Sequence, residues 1–138
     1  MRKLAVAMLI LVAAASYADK VKIKNKEKRF EPVAKTAAEA AGSYRGPNEA
    51  YGLVLEIHNG TLSGTYVENG RVAVLSPIHI IDGTEFKTTA SFDDGSWRTI
   101  EGSFADRILN GVRATGVRMY DIPLEGNGIV NAFFERVR

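Results

Sequence analysis

One kind of dipeptide recurs along this chain at strand-length intervals. Asn-Gly or Asp-Gly stands at Asn59-Gly60, Asn69-Gly70, Asp82-Gly83, Asp94-Gly95, Asn110-Gly111 and Asn127-Gly128. Both residues of each pair tolerate positive φ, as the central positions of a type I′ turn require. The twist of that turn matches two antiparallel strands, which makes the dipeptide a hairpin signal. A seventh turn, Gly46-Pro47-Asn48-Glu49, is built on proline. Seven turns leave eight segments of about strand length: 42–46, 50–58, 61–68, 71–81, 84–93, 96–109, 112–126 and 129–138.

Alternation fixes which side of each segment faces inward. Leu53, Leu55 and Ile57 share one face and Val54, Glu56 and His58 the other. A two-residue turn at Asn59-Gly60 pairs His58 with Thr61. That register sets Leu62, Gly64 and Tyr66 on the Leu55 face and Thr61, Ser63 and Thr65 on the solvent face. Phe86, Thr88, Ala90 and Phe92 alternate against Glu85, Lys87, Thr89 and Ser91. Trp97 and Ile100 cannot share a face without a bulge between them. Pro77 and Pro123 cannot donate to a ladder, so each marks a bulge, an edge or a strand end.

Eight antiparallel strands leave two free edges unless the first meets the last, and an even number permits antiparallel closure. The expected fold is all-β: a single-domain, eight-stranded antiparallel up-and-down barrel. A two-layer antiparallel sandwich is the alternative. Ala-rich Pro32–Gly42, with proline in the first turn and glycine at the end, predicts a short N-terminal helix ahead of the barrel. Residues 32–41 then form a short helix or linker and residues 42–138 the barrel domain.

Residues 1–18 have the layout of a secretory leader. Arg2 and Lys3 precede the uncharged apolar run Leu4–Ala15, and Ser16-Tyr17-Ala18 supplies small residues for cleavage. The run is shorter than the ~20 residues of a spanning helix. Cleavage near Ala18 implies a periplasmic or secreted protein. With no Cys in the chain, disulfides and Cys-based metal sites are excluded, so the domain must be held by its core.

The formal charge of +2 is carried by Arg2 and Lys3, and the remaining chain is neutral, which argues against a nucleic-acid binder. The charge is unevenly spread. Asp19–Glu31 is a basic arm carrying Lys20, Lys22, Lys24, Lys26 and Lys28. It is either a solvated spacer or a contact for an anionic envelope surface.

The hairpin "GSYRG … GLVLEI … LSGTY" resembles the opening of avidin- and streptavidin-type barrels and, more loosely, of lipocalins, over residues 42–66. The resemblance implies a ligand-contacting role for Tyr66 at one barrel end. Avidin-type sites use several Trp residues, whereas this chain has only Trp97, so biotin is not the implied ligand.

Few residues offer chemistry. His58 sits beside a tight turn on the solvent side. His79, in "SPIHIID", faces inward if Ile81 and Phe86 do, as a base or a ligand contact. If Trp97 faces inward, Glu101 lines the barrel with it, paired with Arg107, Arg113, Arg118 or Arg136; a bulge turns Glu101 outward instead. Asp94 is accounted for by turn chemistry. No nucleophile elbow and no phosphate loop is present. The ligand-binding candidates are therefore Tyr66, His79, Trp97, Glu101 and Arg118. No catalytic residue, metal or cofactor is assigned, and the sequence leaves the oligomeric state open. Three functions remain: a noncatalytic barrel that binds a small, partly apolar ligand; a protein-interaction or envelope-structural module with a filled barrel; and an interior lyase, isomerase or hydrolase with His79 or Glu101 as base.

Overall fold

A computed structural model describes residues 28–137. The leader and the arm lysines Lys20, Lys22, Lys24 and Lys26 lie outside the described residues; Lys28 is exposed. The described elements are β1 (Arg29–Pro32), α1 (Ala37–Ala40), β2 (Gly42–Arg45), β3 (Gly52–His58), β4 (Thr61–Glu68), β5 (Arg71–Leu75), β6 (His79–Ile81), β7 (Glu85–Phe92), β8 (Trp97–Leu109), β9 (Val112–Leu124) and β10 (Gly128–Val137). Of the described residues, 31–107 and 114–137 make up one compact unit, and the hairpin tip Ile108–Arg113 groups with Arg29 and Phe30 in a second.

The sheet runs β8-β9-β10-β2-β3-β4-β5-β7, and β7 pairs back onto β8, closing an eight-stranded antiparallel barrel. The first and last staves meet through Glu135↔Arg45, Arg136↔Tyr44 and Val137↔Ser43. Closure joins the first and last staves of the predicted eight, so the sheet does not end in the two free edges an open sheet would present. The segment 71–81 forms one stave broken at Ser76-Pro77-Ile78. Its halves β5 and β6 both pair with β7, through Ala73↔Phe92 to Leu75↔Ala90 and through His79↔Lys87 to Ile81↔Glu85.

Four of the predicted turns have positive φ at both central residues: Asn59-Gly60, Asn69-Gly70, Asp82-Gly83 and Asn110-Gly111. The other two are built differently. At Asp94-Gly95 only the glycine is left-handed, and the Asp94 carboxylate accepts the Ser96 N–H at 2.9 Å and holds the loop. At the last turn Gly126 and Gly128 are left-handed, and Leu124 pairs with Gly128 across three loop residues. The bulge in β9 falls at Asp121, two residues before Pro123. Asp121 has φ 55° and its N–H donates to the Asn131 side chain at 3.2 Å. Pro123 is the penultimate residue of its strand.

The helix is shorter than its composition suggests. Pro32 ends β1 rather than opening a helix, and α1 begins only after Thr36, whose hydroxyl and backbone form a capping box with Glu39. The carbonyls at its C-terminus have side-chain donors. The Arg136 guanidinium donates to Glu39 and Ala41 at 2.7 Å each, and the Tyr44 hydroxyl donates to Ala40 at 2.5 Å. One turn of helix is too short to persist by itself. Here these donors and the burial of Ala40 hold it against the barrel end.

Candidate functional site

The barrel interior is filled. Tyr66, Phe86, Phe104, Phe134, Leu53, Leu55, Ile100, Met119, Ile122 and Val117 point inward, and all are almost completely shielded from solvent. A void wide enough for a water molecule would leave accessible area on the side chains around it, and these side chains keep at most 2% of theirs, which speaks for close packing. Ring pairs set the filling: Phe86 and Phe104 lie 5.4 Å apart and Tyr66 and Phe134 6.2 Å.

Two carboxylates are buried among the described residues, Glu68 and Asp106. Glu68, 3% exposed, accepts two hydrogen bonds from the Arg98 guanidinium, one of them 2.6 Å to Oε2, and a third at 2.8 Å from the Tyr66 hydroxyl. Such bidentate, charge-assisted contacts are what a buried carboxylate needs to stay buried. Burial, and then the bond to Glu68, push the Tyr66 phenol far above its ordinary value. Tyr66 is thus committed to an internal partner, and its ring has no exposed surface.

Trp97 and Glu101 do not face inward. The β7–β8 ladder runs without a bulge from Ser91↔Trp97 to Glu85↔Ser103, so Ile100 takes the interior and odd-numbered residues face out. The expected bulge is absent because Arg98, not Trp97, is the inward residue of that turn of the pleat. Its charge is neutralised by Glu68. Trp97 is 69% exposed. Glu101 is paired with Lys87 at 3.8 Å rather than with an arginine. His79 also faces out, because the break at Pro77 takes it off the alternation of β5. Arg118 lies on the outer face of β9, opposite Phe133 and on the strand paired with β8, where its carbonyl abuts Gly102 next to Glu101. The structure therefore brings His79, Trp97 and Glu101 onto one outer wall, with Arg118 on the adjoining strand β9 and Tyr66 inside the barrel. His79, Lys87 and Glu101 form one cross-strand row, in which the ammonium stands between imidazole and carboxylate and no acid–base pair forms.

The wall is shaped by the break in the fourth stave. Pro77 cannot donate, and the hydroxyls of Ser76 and Thr88 replace the lost ladder contacts. The Thr89 N–H donates to Ser76 Oγ at 3.0 Å, and Thr88 Oγ1 donates to the Ser76 carbonyl at 2.7 Å. The Ile78 N–H rejoins β4 at the Leu62 carbonyl, 2.7 Å away. Two open grooves flank the break. One, at the rim, has a volume of about 440 Å³ and is lined by Lys35, Thr36, Thr61, Leu62 and Ile78. The other, on the wall, has a volume of about 580 Å³ and is lined by Pro77, Ile81, Lys87, Thr88, Thr89 and Thr99. His79 lines both.

Sequence reasoning missed the rest of the wall. Val54↔Thr65↔Val74↔Ser91↔Trp97 is one outward row across five staves, and Val67↔Val72 is the next. Val72, Val74 and Trp97 are exposed, and none of these seven side chains is charged. The signal was present in "RVAVL", where both faces are apolar. Period-two alternation cannot choose between such faces, and only the Tyr66↔Ala73 register decides. At the border of the wall the charges are paired: Arg71 with Asp94 at 2.8 Å and Lys87 with Glu101 at 3.8 Å. The Asp94 carboxyl is held below its ordinary value by the Ser96 hydrogen bonds and then by Arg71.

Among the described residues no three His, Cys, Asp or Glu side chains converge as a metal site, and no helix is long and apolar enough to cross a membrane. No family model matches the chain, and neither a curated protein nor a solved structure matches it.

Proposed function

We propose that this is an exported, noncatalytic binding barrel that works from its outer surface. The observation that carries the reading is the filled interior. Small barrels that bind inside keep a cavity at the axis, whereas here Tyr66, Phe104 and Phe134 occupy it. The outer wall instead offers exposed large apolar residues side by side, the usual mark of an interaction surface. The "LAVAMLILVAAA" leader supports export, and the arm lysines Lys20 to Lys28 supply counter-charge for an anionic envelope surface. A photo-activatable residue at Val74 or Trp97 in living cells tests the reading, with Ile129 on another face as control. It expects one discrete adduct from the wall positions and none from Ile129. Absence of an adduct from every wall position contradicts it.

A second reading, binding of a small and partly apolar ligand, is favoured by His79, which lines a groove on each side of the strand break. It predicts a bound mass in the protein purified under native conditions that is lost on His79→Ala. Full retention of that mass by the variant contradicts it.

A further inference from the structure

We infer that the turns at Asn59 and Asn110 are sites of spontaneous covalent conversion to aspartate and isoaspartate, and that the fold shields the same dipeptide at Asn69. The three form a matched set. Each is an Asn-Gly pair at the centre of a two-residue hairpin turn, with the asparagine at φ 51° to 53°. Asn127-Gly128 stands apart, because its loop has three residues and Gly128 already pairs with Leu124.

The chemistry needs only the dipeptide and water. The glycine backbone nitrogen loses its proton and bonds to Cγ of the asparagine. The Cγ–Nδ2 bond breaks, and ammonia leaves with the proton. The five-membered succinimide then takes up one water at either of its carbonyls, which gives aspartate or isoaspartate. Glycine favours the attack because it carries no Cβ to crowd the nitrogen. Ring closure requires the glycine nitrogen to eclipse the asparagine Cβ. A left-handed asparagine holds that nitrogen on the opposite side, so each turn must open before it can react. The rate at each site therefore follows how readily that turn opens.

The Asn69 turn is tied at both reacting groups. The hydroxyl of buried Tyr51 stands 2.8 Å from Asn69 Oδ1, and 2.8 Å from the Pro123 carbonyl on another strand. With the Asn69 amide turned either way, this contact keeps its side chain in place. The Gly70 N–H, which would attack, donates to the Ala50 carbonyl at 3.0 Å. Glu68, the residue before the turn, is anchored by Arg98. The other two turns have no such ties among the described residues. No hydrogen bond holds the Asn59 or Asn110 side chain, and neither Gly60 nor Gly111 donates to a carbonyl outside its own hairpin. Their flanks are exposed as well: His58 and Thr61 around the first, Leu109 and Val112 around the second.

Conversion alters both charge and backbone. Each event replaces a neutral amide by a carboxylate. Isoaspartate also routes the main chain through Cβ, which lengthens a two-residue turn that sets His58 opposite Thr61. At position 59 the new carboxylate stands beside Gly60 and Thr61, which line the rim groove together with Lys35 and His79. The change there is one-way, and it places a negative charge at a groove whose lining offers two basic side chains.

Peptide mass mapping of the purified chain tests the inference. One portion is kept folded in mildly alkaline buffer and another is kept in urea, and the mass gain from NH2 to OH is followed at each pair over time. In the folded chain Asn59 and Asn110 should convert at least ~10-fold faster than Asn69, where two further hydrogen bonds must break. In urea the three should convert at similar rates, because each asparagine precedes glycine and the ties are gone. Tyr51→Phe, shown by circular dichroism to be folded, should speed conversion at Asn69 by ~2–10-fold, the share of turn opening that one hydrogen bond controls, and leave Asn110 unchanged. Several results overturn the inference: Asn69 converting as fast as Asn59 or Asn110 in the folded chain, the same gap persisting in urea, an unchanged Asn69 rate in the folded variant, or no conversion at Asn59 and Asn110 without urea.

Discussion

Trp97 and Val74 face the same way on the outer wall, separated by one strand whose Ser91 pairs in register with both. Two large apolar side chains thus flank a small one in solvent, while the inward positions on either side of Val74, Ala73 and Leu75 on β5, are buried. The barrel has apolar groups on both sides of its wall here. Those inside hold the fold together, and those outside are left over from that task.

The filled interior makes the core sensitive to truncation. Phe134 lies on the axis against Tyr66. Phe134→Ala should cost ~3–5 kcal/mol, because the closed ring of strands cannot collapse around the void. Urea unfolding measures the loss. The variant should also acquire affinity for benzene-sized probes that the parent protein lacks.

The buried ion pair should respond asymmetrically. Arg98→Ala leaves Glu68 buried with only the Tyr66 hydroxyl and should cost ~3–5 kcal/mol. Replacing both Glu68 and Arg98 by Met removes the stranded charge and should recover most of that loss. Denaturant midpoints of the single and double variants decide the point.

Alkaline stability should depend on Tyr66. Its phenol is raised in the folded state by burial and by the Glu68 carboxylate. The unfolded chain ionises this group at pH ~10 while the folded chain does not. The contribution is therefore complete below pH ~10 and is lost as pH rises above it. Tyr66→Phe should flatten the fall in the urea midpoint above pH ~10. At neutral pH it should cost ~1–3 kcal/mol, because Glu68 loses a donor.

Arg136 should govern the plugged end. Its guanidinium takes the Glu39 and Ala41 carbonyls, and a Cβ at Gly42 would stand 2.8 Å from it, so backbone and side chain are in close contact there. Arg136→Ala should release α1 while leaving the barrel closed. Hydrogen exchange is the check: protection at the Ala40 and Ala41 amides is lost, and protection in β3 and β4 is kept.

The turn code carried the architecture into the sequence. Six Asn-Gly or Asp-Gly pairs and one Pro turn delimit the eight staves that close, because positive φ is a local demand that few residues meet. Leu53, Leu55, Tyr66, Phe86 and Phe92 were legible as core for the same reason, since alternation is local too. The site residues were not. Whether Trp97 or Arg98 faces inward depends on Glu68, hydrogen-bonded to Arg98 at 2.6 Å but 30 residues away in sequence, which makes an inward arginine tolerable. His79 was turned outward by the geometry of a proline break, for which alternation has no symbol. The outer wall was hidden because "RVAVL" is apolar on both faces.

The central claim is that the inside of this barrel is structural and the outside does the binding. Methyl and indole NMR spectra of the protein, followed while a binding partner or a ligand mixture is added, test it most directly. Resonances of Val72, Val74, Ile81 and Trp97 should move while those of Leu53, Leu55, Ile100, Val117 and Met119 stay fixed. Movement of the interior set, with the wall unchanged, would contradict it.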